Sequence, residues 1–124
     1  MSKQNIAIIG LGRVGAVFLG AMLQKKQEIN LVCVAERGET PGKATALANG
    51  VKVATLDDIV AMGDQVDIIF ELTGVRETRR ELREKLLTHN NAHTVIASET
   101  IARLIGSLIG NAGLPVIEGR KTGY

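Results

Sequence analysis

Aromatic residues make up only 2% of this 124-residue chain, two Phe and one Tyr with no Trp. The core therefore has to be assembled from Ile, Leu, Val and Ala. The same scarcity removes the stacking surfaces that hold single-stranded nucleic acids. A net charge of +2 is too small an imbalance for a nucleic-acid footprint. A single cysteine, Cys33, excludes an internal disulfide and fits a reducing cytoplasm. No apolar run is long enough to span a bilayer, and the first one stops at a glycine too early for a signal peptide. What is present is the balance of a soluble globular domain, 45% hydrophobic and 23% charged. A chain of this length buries roughly two-thirds of its unfolded surface and folds without metal or disulfide.

Two kinds of segment alternate. Residues 6–9 are a continuous apolar run, as in a strand covered on both faces. Val14, Val17, Phe18, Ala21 and Met22 follow at helical spacing. Residues 30–36, 51–55, 66–74, 93–98 and 114–119 read as further strands, the first of these five rich in β-branched residues and the second polar enough for a sheet edge. Between them, residues 40–50 offer Thr40 as N-cap, Pro41 at the first helical position and Gly50 as stop. Residues 56–63 form a short helix closed by Gly63. Residues 76–88 form a charged helix with a thin apolar stripe of Val75, Leu82 and Leu86 and a favourable Glu81–Lys85 pair. Its arginines 76, 79, 80 and 83 read as a solvated outer edge. Ile101, Leu104, Ile105, Leu108 and Ile109 repeat the helical period as a core stripe, flanked by small residues that would also permit self-association. Alternation of this kind predicts an α/β fold: a doubly wound parallel sheet of about six strands in the order 3-2-1-4-5-6, with helices on both faces.

The junction of the first strand and helix reads Gly10-Leu11-Gly12-Arg13-Val14-Gly15, a G-x-G-x-x-G sequence where a dinucleotide fingerprint belongs. Gly10 permits the tight turn, Gly12 lets a pyrophosphate approach the backbone, and Gly15 lets helix and strand pack closely. The amides of residues 12–14 then face the phosphates at the positive end of the helix. Glu36 ends the second strand about 20 residues on, placed to accept hydrogen bonds from an adenosine ribose, which favours NAD over NADP. Arg37 is open to three roles: stacking on adenine, meeting a 2′-phosphate, or standing in solvent. On this reading residues 1–119 are one dinucleotide-binding domain, and residues 120–124 are a polar tail at a truncation point or linker.

"IAIIGLGRVG", the acid at Glu36, "DIIFELTG" and "VIASETIA" occur in an order that resembles the Rossmann cofactor domain of the homoserine and aspartate dehydrogenases and of the glucose–fructose oxidoreductase-like family. The resemblance implies NAD(H) binding, with Leu72, Thr73 and Gly74 along the nicotinamide ribose and Ala97, Ser98 and Glu99 beside the nicotinamide ring. It leaves the substrate open. The glucose–fructose oxidoreductase-like enzymes carry Glu-Lys-Pro after the fifth strand, whereas this chain has Glu99-Thr100-Ile101. These enzymes also add a second domain for substrate. The expectation is a dehydrogenase-like cofactor domain, inactive by itself, with no catalytic residue assigned. It would act in a homodimer or beside a missing C-terminal domain, in the cytoplasm and away from nucleic acid and membrane. Alternatives are an NAD/NADH-sensing module and a site for coenzyme A or S-adenosylmethionine.

Other candidates read more plainly. Cys33 lies in a buried-strand pattern and reads as core. Glu99 is either an acid near the ring or a first-turn residue complementing the helix dipole. His89 and His93 stand at a metal-pair spacing, but Asn90-Asn91 between them reads as a helix stop, so no metal is expected.

Overall fold

The computed structural model of the chain describes residues 3–110. The apolar runs become β1 (Gln4–Ile9), β2 (Ile29–Ala35), β3 (Ile68–Glu71) and β4 (Val95–Ala97). The helices are α1 (Arg13–Leu23), α2 (Pro41–Ala48), α3 (Leu56–Ala61), α4 (Arg76–Thr88) and α5 (Glu99–Leu108), with one 3₁₀ turn at Gly63–Gln65. All strand pairings are parallel, in the order β2-β1-β3-β4. Central β1 sets Ile8 between Val34 and Phe70. Its side chains alternate between two cores. Ile6 and Ile8 meet Val14, Phe18, Leu19 and Met22 of α1, while Ala7 and Ile9 meet Ile59 and Val60 of α3 and Leu82 and Leu86 of α4. Both faces are covered, which is why the strand reads as a continuous apolar run. With aromatics so few, Phe18 and Phe70 share one contact, ring centroids 4.6 Å apart.

Among the described residues the sheet has four strands, against the expectation of about six. Residues 51–55 do lie beside β2, but only as a single parallel bridge, Val34 to Val53, with hydrogen bonds from Val34 N–H to the Lys52 carbonyl and from Ala54 N–H to the Val34 carbonyl. The chain leaves the sheet at once because Thr55 caps α3 in a reciprocal capping box with Asp58. The spatial order is thus the first five places of 3-2-1-4-5-6. The expected strand at 114–119 and the tail at 120–124 lie outside the described residues.

Thr40 caps α2 by accepting from Lys43 N–H, with Pro41 at the first helical position. The apolar faces of other helices differ from the expected ones. In α1, Leu19 is buried and Val17 is exposed. Val75 is exposed because it is the N-cap of α4 and not part of its stripe. The Glu81–Lys85 pair is replaced: Lys85 reaches across to Asp57 of α3 at 2.7 Å, and within α4 Arg80 lies 3.5 Å from Glu84. The Asp57 carboxylate raises the Lys85 pKa through that hydrogen bond. The largest departure is α5. Ala102 and Gly106 face inward, Ile105 and Ile109 pack at the margin, and Ile101, Leu104 and Leu108 are 43%, 55% and 76% exposed. The small Ala102 and Gly106 thus take the inner face, and the bulky stripe is turned outward.

Cys33 is fully buried, and desolvation pushes its thiol up to about 11, so it remains a protonated core residue. His89 and His93 have separate partners: His89 Nδ1 donates to the Lys85 carbonyl, while His93 Nε2 lies 2.6 Å from Asp67 Oδ1. Asn90, at φ 55°, ends α4 between them. Asp67 also accepts from Asn5 N–H at 2.7 Å. That backbone bond first, and His93 second, hold its carboxyl below the usual carboxylate range. A depressed carboxyl stabilises the fold above its unfolded pKa of about 3.9, and that contribution is lost as pH falls through the lower folded value. Stability measured by denaturant titration should therefore fall less steeply below about pH 4 in Asp67→Asn than in the wild type. Equal slopes would contradict this role for Asp67.

Candidate functional site

A cleft of about 610 Å³ opens at the carboxyl ends of β1, β2 and β3. Here the chain turns from β1 to β2 on one side and later to β3 on the other. Open α/β sheets bind ligands at such a switch point, and this volume falls within the usual range for small-molecule sites.

The glycine loop forms its floor. Gly10 has φ +95°, and a Cβ there would lie 2.8 Å from Thr73 N. The turn and the approach of the β3–α4 connection both require its hydrogen. A Cβ on Gly15 would lie 1.8 Å from the Gly10 carbonyl oxygen, so α1 starts against the loop only because this position is bare. Gly12 differs: it lines the cleft, has φ −75°, and a Cβ there would meet nothing within 4 Å. As N-cap of α1 it offers no side chain to the first-turn amides, and that turn carries no acid. The positive end of the helix thus has neither an N-cap side chain nor a first-turn carboxylate beside it. Leu11 and Val14 are buried, so their side chains belong to the core, while Arg13 is exposed.

Glu36, just past β2, lines the cleft and holds the loop. Its Oε1 accepts from Leu11 N–H at 2.7 Å and its Oε2 from Gly38 N–H at 2.8 Å. A carboxylate has about four lone-pair sites, so two remain for ligand hydroxyls. Arg37 stands with its side chain 88% exposed and a guanidinium nitrogen 4.0 Å from Glu81 of α4. On the other wall Leu72 is buried at the end of β3. Thr73 bridges by donating its hydroxyl and its N–H to Glu71 and accepting from Val75 N–H. Gly74 follows at φ +73°.

Gly10, Gly12, Glu36, Arg37, Leu72 and Thr73 are thus brought together on one cleft. Ala97, Ser98 and Glu99 lie one strand further along the sheet, at the junction of β4 and α5, and are not among its lining residues. Glu99 is a buried first-turn residue of α5, its Oε2 3.2 Å from Arg103 Nη2. Sequence reasoning missed Thr40, Thr55, Asp57, Thr78, Glu81 and Lys85, which complete the wall. Thr40 and Thr55 had a local signal, being the N-caps of α2 and α3. The others meet only through packing of α3 on α4.

Among the described residues no helix is long and apolar enough to cross a membrane, and no group of three or more His, Cys, Asp or Glu could hold a metal. Residues 10–112 match the family described as homoserine dehydrogenase, NAD binding domain. No curated protein sequence matches the chain. A homoserine dehydrogenase from Thiobacillus denitrificans is 29% identical over 88% of this chain and 26% of its own, with a TM-score of 0.54. A putative myo-inositol dehydrogenase from Sinorhizobium meliloti is 26% identical over 77% of this chain and 28% of its own, with a TM-score of 0.58. S. aureus homoserine dehydrogenase, at 24% identity over 77% of this chain and 26% of its own, shares the fold with a TM-score of 0.57. The chain spans about a quarter of the length of these solved proteins. With its Rossmann sheet and glycine loop, the chain is an NAD(H)-binding domain and belongs to the homoserine dehydrogenase NAD-binding domain family.

Proposed function

We propose that the dinucleotide lies along the cleft with its pyrophosphate on the amides of residues 12–14 and its adenosine ribose on Glu36, and that the chain is the cofactor domain of a dehydrogenase. The observation that carries this reading is the open face of Gly12 at the uncapped start of α1. A Cβ would fill the space that a phosphate needs. Glu36 orients the ribose and steadies Leu11 beneath it, and Thr73 orders the connection on the opposite wall. Bound there, NAD supplies a carbon centre that accepts or donates hydride. Residues 99–101 offer no lysine as a general acid or base within reach of substrate, which supports a cofactor-holding role for these residues. The exposed apolar face of α5 supports a contact with a further domain or a second copy.

The test pairs binding with turnover. The isolated chain should bind NADH by calorimetry, and show no protein-dependent change in nicotinamide absorbance with homoserine, aspartate or a panel of sugars. Turnover with any of these would contradict the binding-only reading. Absence of NADH binding would contradict the site.

A further inference from the structure

We infer that Glu81, on α4, is a second determinant of cofactor choice, acting by holding Arg37 away from a 2′-phosphate. The inference rests on the cofactor site proposed above. Among the described residues lining the cleft, the cations are Arg37 and Lys85 and the anions are Glu36, Asp57 and Glu81. Lys85 is committed to Asp57 at 2.7 Å. Arg37 follows directly on Glu36, the residue placed at the adenosine ribose, so it is the cation nearest in sequence to the 2′-position. Its guanidinium instead lies toward Glu81, at 4.0 Å.

An exposed pair at that distance is weak, so it shifts the choice only a few-fold. What decides the shift is whether Arg37 is free to neutralise a 2′-phosphate. The two negative charges of that group would face the carboxylate of Glu36, and would have to draw Arg37 off Glu81 to be neutralised. NAD, with a neutral 2′-hydroxyl, meets neither cost. Glu36 therefore sets the preference by what it accepts, and Glu81 by what it withholds. Removing the charge at 81 releases Arg37 to meet the phosphate.

The experiment titrates NADH and NADPH into wild type, Glu81→Gln, Arg37→Ala and the double variant at low salt, following nicotinamide fluorescence. Glu81→Gln should raise the affinity ratio of NADPH to NADH by about fivefold, and added salt should shrink the rise. The rise should vanish in the double variant, because it needs the arginine. An unchanged ratio in a Glu81→Gln protein that still binds NADH would overturn the role of Glu81 alone. So would a rise that survives loss of Arg37. A wild type that binds no NADH would overturn the site itself.

Discussion

Gly12→Val should fold normally and bind NADH more than about tenfold more weakly, a loss of about 1.4 kcal/mol or more. The backbone at Gly12, with φ −75°, suits an L-residue, and nothing lies within 4 Å of the added Cβ. The new side chain costs the fold little and occupies the place assigned to the pyrophosphate. Gly15 provides the contrast. Its Cβ would collide with the Gly10 carbonyl at 1.8 Å, so Gly15→Ala has to displace the loop or α1 and should lower the melting temperature as well as the affinity. Calorimetric titration beside thermal unfolding separates the two. Unchanged affinity in folded Gly12→Val would move the ligand elsewhere.

The second large effect concerns Glu36. Wild type should prefer NADH to NADPH by about tenfold or more, because charge-assisted hydrogen bonds to ribose hydroxyls contribute about 1.5–3 kcal/mol and a 2′-phosphate would repel the carboxylate. The structure adds a second duty, since Glu36 holds Leu11 N–H and Gly38 N–H. Glu36→Gln retains one acceptor for the loop and removes the charge, so it should weaken NADH and narrow the preference while leaving the fold intact. Glu36→Ser gives up the reach to Leu11, and should weaken even a dinucleotide lacking both adenosine-ribose hydroxyls. Titrations with all three ligands check this. If wild type binds NADPH as tightly as NADH, the role given to Glu36 is wrong and Arg37 becomes the specificity residue.

The parts of the site visible in the sequence are those encoded locally. Three glycines at fixed spacing between an apolar run and a helical pattern place the loop, and Thr40-Pro41 marks the start of α2. The acid at the end of β2 is found by counting from the loop. The hidden parts depend on packing between distant segments. Glu36 and Leu11 are 25 residues apart, and Lys85 and Asp57 are 28 apart. No period within α4 shows that Lys85 turns to α3 instead of to Glu81. In α5 the period locates an apolar stripe, but the small Ala102 and Gly106 take the inner face, so period alone does not tell which side of the helix is buried. Residues 51–55 have a strand's composition but make a single bridge at Val53, because the capping box at Thr55 starts α3.

On the proposed placement, NAD(H) sits on the glycine loop with its ribose at Glu36. Backbone amide resonances followed by NMR during NADH titration test it most directly. The largest shifts should fall on Gly12, Arg13 and Val14 and on the residues around Glu36, with the start of α4 affected next. Saturable binding whose shifts avoid residues 10–15 would contradict it.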